Sequence, residues 1–504
     1  MKSPTETQNI IQELTNFISL PLKEKLQRCP DDDLEITVIK LFQKVAANVP
    51  AYQEFLAKAG IKPDTIQTLA DFQKIPKINK ENYLAKYPVS QLCYHGKIEN
   101  CDFIAASSGS TGKSTFWPRF LTDELHIATR FEQIFHNSFY ADSQTTLAVI
   151  CFSLGTWVGG MFTTNCCRYL AAKGYPLTVI TPGNNKPEIL RIVQELGTKF
   201  QQVVLLGYPP FLKDVIDTGL AQGMQWKQYN IKLVMAGEVF SEEWRNLVAE
   251  RMGSENPCDD FASLYGTADA GVLGNETSLS ICIRRFLART PAAAKALFGE
   301  SRLPTLVQYD PSSRFFEVEE GNLLFSGDNG VPLIRYSILD HGGLISYPEM
   351  LEFLATWGFN PLIELENHRG INQLPFVYVF GRSNFTVSYF GANIYPENIT
   401  VGLEQPIIRE WVTGKFVLQV KEDLDKNRFL SVVVELAPGI EDQEQKKSSI
   451  TNSILTQLLR LNSEFANYVP PQYQTPLVEL KPIGDLEYFP IGVKHRYTRN
   501  NTSK

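Results

Sequence analysis

The chain has 504 residues, 43% of them hydrophobic and 20% charged, with a formal net charge of −7. These values exclude a disordered, collagenous or coiled-coil protein. The 48 basic residues form no long block, which argues against a nucleic-acid partner. At roughly 150 residues per domain the length fits about three folding units, with a core that needs no staples.

Eight cysteines are present and none forms C-x-x-C, so buried free thiols in a reduced compartment are expected rather than a disulfide framework. The six histidines form no H-E-x-x-H or ligand-spaced pair, and zinc is not indicated. Met1 to Leu20 is polar and lacks the apolar core of a secretory signal. The expected compartment is cytoplasmic, with no membrane partner. Ser143 to Cys167 carries no formal charge, yet it holds Gly155, Gly159, Gly160 and Asn165. That pattern predicts a buried strand and a close-packed turn rather than a lipid-facing helix.

In chain order, the first hundred residues read as mostly helical. Ile10, Leu14, Phe17 and Ile18 recur at helical spacing, as do Val38, Leu41, Phe42 and Val45. From Phe103 to Gly266 the pattern alternates. Buried strands are predicted at Leu147–Phe152, Leu177–Ile180, Val203–Leu206 and Lys232–Ala236. Helices are predicted at Lys186–Leu196, Phe211–Thr218 and Glu242–Arg251. Strand, helix, strand at this spacing argues a parallel α/β sheet. Thr305 to Asp340 reads as short strands with Gly and Asp turns, an antiparallel or barrel-like piece. After Gly381 come strands at Lys415–Val420 and Leu430–Leu436, a helix at Ser448–Leu461 and a strand at Leu477–Lys481. This is a small α+β unit, with Glu441–Lys447 as a charged helix start or linker.

The strongest local signal runs from Ser107 through Ser108, Gly109, Ser110, Thr111, Gly112, Lys113 and Ser114 to Thr115. Its glycines permit close backbone approach, its hydroxyls and amides can donate to phosphate oxygens, and Lys113 adds a positive charge. A Walker loop needs a glycine where Ser107 stands, and it should open a helix, yet Pro118 follows soon after. A ligand-free Ser/Gly turn is the simplest other reading.

The loop resembles the phosphate loop of the adenylate-forming acyl/aryl-CoA ligase superfamily. Four further segments follow in that family's order. Ala236-Gly237-Glu238, then Ser241-Glu242-Glu243, resembles the adenine-side segment of the phenylacetate–CoA ligase branch. Tyr265-Gly266-Thr267-Ala268-Asp269 resembles Tyr-Gly-x-Thr-Glu. Gly330 to Tyr336, ending at Asp340, resembles the ribose-holding segment. Gly381-Arg382-Ser383-Asn384, then Gly391 to Pro396, resembles the hinge and the loop after it.

The resemblance implies a large N-terminal adenylation domain (1–380) of parallel α/β subdomains plus a small β-barrel-like part. A small mobile C-terminal α+β domain (381–504) would follow. It also implies a reaction in which a carboxylate attacks the α-phosphate of ATP, and the acyl-adenylate then passes to the thiol of coenzyme A. Lys113, Ser110 and Thr111 would cradle the β- and γ-phosphates. Thr267 would contact the α-phosphate, Asp269 would help hold Mg²⁺, and Asp340 would accept from the ribose hydroxyls. Arg382 would sit near ribose or phosphate at the junction. Lys494, after Gly492, is the candidate small-domain lysine that reaches the α-phosphate and carboxylate. Phe152, Trp157, Gly159, Tyr208, Pro209 and Pro210 lie where an aryl or other apolar acid would bind. The helical first hundred residues are candidates for a homodimer contact.

The sequence departs from the family's pattern in places. Asp269 replaces the usual Glu, Asn384 replaces the hinge acid, and Ser337-Ile338-Leu339 replaces Arg-Thr-Gly. Two alternatives stay open: transfer of the acyl group to a carrier protein or other nucleophile, and a degenerate nucleotide-binding protein without turnover.

Overall fold

The computed structural model describes residues 4–26, 32–107, 115–156, 158–237, 239–300, 302–382, 387–389, 392–422, 428–462, 465–466, 469, 471–490 and 495–498. A hairpin comes first, β1 (Phe103–Ser107) with β2 (Thr115–Arg119). Five strands form a parallel group: β3 (Thr146–Ile150), β4 (Leu177–Ile180), β5 (Gln202–Gly207), β6 (Ile231–Ala236) and β7 (Phe261–Thr267). The same sheet continues antiparallel through β8 (Gly271–Asn275), β9 (Thr305–Gln308), β10 (Phe315–Glu319), β11 (Asn322–Gly327), β12 (Leu333–Ile345) and β13 (Phe376–Arg382). Its 11 strands run β10-β11-β12-β13-β9-β8-β7-β6-β5-β3-β4. Of the two forms predicted for Thr305–Asp340, the antiparallel one is therefore present, built into the main sheet.

The central strands β3, β5 and β6 carry nearly unbroken apolar runs because both faces are covered. Leu147, Val149, Val203, Leu205, Leu233 and Met235 face one core, under the helices Lys186–Leu196, Pro209–Ala221 and Glu242–Met252. Ala148, Ile150, Val204, Leu206 and Val234 face the other, under Leu121–Gln133 and Val158–Lys173. The uncharged Ser143–Cys167 stretch gives β3 as expected, but its second half is no turn. From Val158 it forms a helix of 16 residues, whose Cys166, Cys167 and Leu170 are buried in that second core. A turn was expected because Gly159 and Gly160 weaken helix propensity; packing against the sheet overrides them. Among the described residues no helix is long and apolar enough to cross a membrane, and the described cysteines are free.

The N-terminal region forms helices at Pro4–Ser19, Asp32–Asn48 and Pro50–Lys58. Val38, Phe42 and Val45 share a core with Tyr52, Phe72 and Tyr83 and with Phe325 and Tyr336 of the antiparallel strands. Ile78 makes a parallel bridge to Tyr336. From Asp32 onward this region is thus fastened to the antiparallel end of the sheet, whereas the helix Pro4–Ser19 packs through Phe17 on the core beneath Leu121–Gln133 and Val158–Lys173.

After β13 the chain forms β14 (Val387–Tyr389) and β15 (Ala392–Ile394), then the helix Pro396–Leu403. A second sheet follows, of β16 (Val412–Glu422), β17 (Arg428–Leu436) and β18 (Leu477–Lys481), in that order. The helix Glu444–Leu461 covers it and shares its core through Ile450, Ile454 and Leu458.

Candidate functional site

The expected site residues gather where β7 turns into β8. Gly266 sits at a close crossing of these strands. A Cβ there would lie 2.5 Å from the Gly271 carbonyl oxygen, against backbone that cannot yield. Gly266→Ala is expected to destabilise the protein by about 1–3 kcal/mol, read as a lower urea midpoint at an unchanged slope.

Thr267 ends β7, and its hydroxyl oxygen accepts from the Ala270 N–H at 3.1 Å. A hydroxyl that accepts in this way keeps its own proton to donate. Asp269 is only 2% exposed. The Tyr336 hydroxyl donates to Asp269 Oδ2 at 2.5 Å, and Lys80 Nζ lies 3.6 Å from the same oxygen. Arg119, fully buried at the end of β2, donates to the carbonyls of Ala268 and Asp269, the latter at 3.1 Å. One guanidinium therefore ties the base of the β1–β2 hairpin to the Thr267–Asp269 turn. Burial lowers the Arg119 pKa, against the opposing pull of Asp123 and Asp269. Burial pushes the Asp123 carboxyl up to about 6, although Arg119 and the Phe120 N–H favour its charge. Asp123 also accepts from the Gly330 N–H at 2.8 Å, which pins the segment leading to Asp340.

Asp340 closes the group. The Tyr265 hydroxyl donates to Asp340 Oδ2 at 2.7 Å across 75 residues of sequence. Asp340 pairs with Arg382 through the β12–β13 ladder. Leu339 just before it has φ +63, a left-handed backbone that a leucine adopts at a cost. Gly237, with φ +85, turns the chain at the end of β6. Thus Gly237, Tyr265, Gly266, Thr267 and Asp269 lie at the ends of the adjacent strands β6 and β7 and in the turn after β7, and the Tyr265 bond joins to them Asp340 from within β12, four places along the sheet from β7. Ser108, Gly109, Ser110, Thr111, Gly112, Lys113, Trp157, Glu238, Asn384 and Lys494 lie outside the described residues, as does the Arg382 side chain.

Among the described residues no group of three or more His, Cys, Asp or Glu side chains is placed to hold a metal. A lone carboxylate still fits Mg²⁺, which binds through one or two carboxylates with water and phosphate oxygens. Asp269, oriented by Tyr336, offers that donor.

No family model matches the chain. A phenylacetate-coenzyme A ligase of Aromatoleum evansii is 22% identical over 296 residues, which cover 58% of this chain and 61% of that protein. The match thus spans about three fifths of that relative's length. A phenylacetate-coenzyme A ligase of Escherichia coli (strain K12) is 21% identical over 421 residues, 80% of each chain. The crystal structure of a 2-hydroxyisobutyryl-CoA ligase, in the postadenylation state with R3-HIB-AMP, superposes with a TM-score of 0.66 at 15% identity. That superposition covers 97% of this chain and 92% of the other. The chain has the fold of the adenylate-forming CoA ligases.

Within this ligase fold, the residues expected to bind the acid separate into two places. Phe152 and Tyr208 meet edge to face, with ring centroids 5.0 Å apart. A Cβ at Gly159 would touch the Phe152 ring at 3.4 Å, so Gly159 is the floor beside that ring. Pro209 instead lines a small cleft against the helix Pro396–Leu403 and the start of β16, together with Phe240, Trp244, Leu403 and Glu404. Pro209 starts the helix after Tyr208, so successive residues face different sides.

Arg119, Asp123, Tyr336 and Lys80 form part of the same site and carried no recognisable sequence signal. Tyr336 lay within the ribose segment without an assigned role. Arg119 looks like any arginine after a proline. Only the fold brings them to Asp269.

Proposed function

We propose that the protein activates a carboxylic acid, aryl or otherwise apolar, as its acyl-adenylate and passes the acyl group to coenzyme A. The observation that carries this reading is the joining of separate motifs by side chains. Tyr265 bonds Asp340, Tyr336 bonds Asp269, and Arg119 ties the phosphate-loop hairpin to that same turn. Residues 1–380 would form the large unit and 381–504 the small one.

In this mechanism ATP lies across the ends of β6 and β7. Tyr265 donates to one oxygen of Asp340 and orients the carboxylate, which accepts from the ribose hydroxyls. Ser110, Thr111 and Lys113 hold the terminal phosphates. Thr267, its oxygen already satisfied by the Ala270 N–H, donates its proton to an α-phosphoryl oxygen. Mg²⁺, when bound, neutralises charge on the polyphosphate, with Asp269 as its protein ligand. The acid enters beside Phe152, Gly159 and Tyr208, where aromatic walls exclude water. Its carboxylate oxygen forms a bond to the α-phosphorus as the bond to the β-phosphate bridge oxygen breaks and pyrophosphate leaves. Lys494 offsets the charge that builds on the α-phosphoryl group. In the second half the coenzyme A thiol, losing its proton, attacks the acyl carbonyl and AMP leaves. Positioning and fixed charge supply most of the catalysis.

The test is acid-dependent exchange of pyrophosphate into ATP across aryl and aliphatic acids, with Lys113→Ala and Lys494→Ala in parallel. Exchange with one class of acid, lost in both variants, supports the reading. Adding coenzyme A should then release AMP and a thioester. Adenylation that ignores coenzyme A would instead favour a carrier-protein acceptor. No exchange with any acid, despite ATP binding, would overturn the reading.

A further inference from the structure

The Gly237–Ser241 segment, given above to the adenine side, also meets the C-terminal unit. Phe240, Trp244 and Leu247 line a narrow apolar cleft against Leu403 and Val412. Inside that contact lies a carboxyl group. Glu404, 8% exposed, accepts a hydrogen bond from the Ser241 hydroxyl through Oε2. Its Oε1 is buried with no hydrogen-bond partner among the described residues. The same Ser241 oxygen caps the helix Glu242–Met252 by accepting from the Trp244 N–H at 3.0 Å. Ser241 is therefore shared between the start of that helix and the C-terminal unit.

We propose that Glu404 is a positioning residue that seats the C-terminal unit on the Gly237–Ser241 segment, taking up a proton as it docks and releasing it as it leaves. Glu404 stands at the C-terminal cap of the helix Pro396–Leu403, where the helix dipole already disfavours a negative charge. A buried carboxylate with one unpartnered oxygen costs more than the neutral acid, whose proton needs only one acceptor.

The charges that face it do not reverse this. Glu243 repels its anion. Lys213 and Arg284 attract it, yet both are engaged elsewhere: Lys213 with Asp217 at 2.8 Å, Arg284 with Glu242 and with the Phe240 carbonyl at 2.7 Å. Arg409, lining the same cleft, lies 3.6 Å from Glu250 and 3.4 Å from Glu410. Burial raises the docked Glu404 from its ordinary value of 4.5 to about 8, with Ser241 pulling the other way. A carboxyl whose pKa is higher docked than undocked binds its proton on docking. The docked-to-undocked ratio is therefore highest at low pH. It falls by about tenfold per pH unit between the two values and levels off above the upper one.

Docking does not depend on the reaction; its consequence for the nucleotide rests on the functional reading above. The test is small-angle X-ray scattering of the full chain from pH 5.5 to 9 for the wild type, Glu404→Gln and Ser241→Ala. The wild-type radius of gyration should rise with pH. Glu404→Gln, which cannot ionise, should stay compact throughout. Ser241→Ala should expand at lower pH than the wild type while keeping the pH dependence. A wild type that does not expand, or a Glu404→Gln protein that expands with the same profile, would overturn the proposal. Pyrophosphate exchange measured alongside separates the two failures. A protein with no exchange but this scattering pattern loses the catalytic reading and keeps the latch.

Discussion

Asp269→Asn is expected to lower acid-dependent pyrophosphate exchange by about a hundredfold or more, roughly 3 kcal/mol of transition-state stabilisation. The side chain is almost fully enclosed, the Tyr336 hydroxyl fixes one carboxylate oxygen, and Arg119 holds the Asp269 carbonyl. Asparagine keeps the shape and can still accept from Tyr336, so folding stability should change by less than about 1 kcal/mol. What it removes is the negative charge that would bind Mg²⁺. The variant should need more Mg²⁺ for half-maximal exchange, and its binding of Mg-ATP by calorimetry should weaken. Tyr336→Phe removes the orienting hydrogen bond and leaves the Asp269 charge in place, and a smaller loss, about tenfold, is expected. Asp269→Glu should not raise the exchange rate, because an added methylene would drive the carboxylate into the Tyr336 hydroxyl. Wild-type exchange and unchanged Mg²⁺ dependence in Asp269→Asn would remove this residue from the reaction.

The parts of the fold legible in the sequence were those whose burial is local. β3, β5 and β6 are covered on both faces, so their apolar runs mark them without knowledge of their neighbours. Leu177–Ile180 and Leu477–Lys481 also coincide with predicted strands, although both are edge strands and only partly buried, so their apolar and β-branched residues mark them rather than full cover. The helices Lys186–Leu196 and Glu242–Met252 carry side-chain N-caps at Asn185 and Ser241, which fix their starts. The second half of Ser143–Cys167 misleads because its helix is held by tertiary packing rather than by its own propensity.

The site was legible as motifs and not as geometry. Tyr265 and Asp340 could each be named, but the bond between them could not, because nothing in either segment encodes the other. The same holds for the N-terminal region. Arg335 Nη1 donates to the Gln73 carbonyl at 2.6 Å across 262 residues, and Arg335 pairs with both oxygens of Glu317 at 3.1 Å. Lys80 reaches Asp269 through that same attachment. A lysine in a polar turn reads as a solvated surface residue until the sheet places it against a carboxylate. Ser241 was seen within the adenine segment, yet its partner Glu404 lies 163 residues away.

Arg245→Met is expected to destabilise the protein by about 3–5 kcal/mol, because it leaves carboxylates buried without their cation. Arg245 is wholly inaccessible. It donates to Glu242 at 3.0 and 3.2 Å and to Glu276 at 2.6 Å, and its charge lies 5.0 Å from the Phe240 ring centroid. Arg284 also binds Glu242. Burial alone would raise the Glu242 pKa, but the Arg245 and Arg284 charges outweigh it, so the carboxyl is held below its ordinary value. A carboxyl depressed on folding contributes stability above its unfolded pKa and loses it as pH falls through the folded one. Without Arg245 that depression shrinks or reverses, and protonation then relieves the buried charge. The gap in urea-derived stability between wild type and Arg245→Met should therefore narrow from pH 8 to pH 5. Arg245→Met combined with Glu276→Gln, which removes one of the stranded charges, should recover part of the loss. A gap that widens at low pH, or a double variant weaker than the sum of its parts, would mean that the guanidinium acts by packing rather than by charge. This network lies directly beneath Phe240, whose carbonyl Arg284 holds. Partial unfolding of the Gly237–Ser241 segment should then appear in Arg245→Met as weaker ATP binding before the global transition.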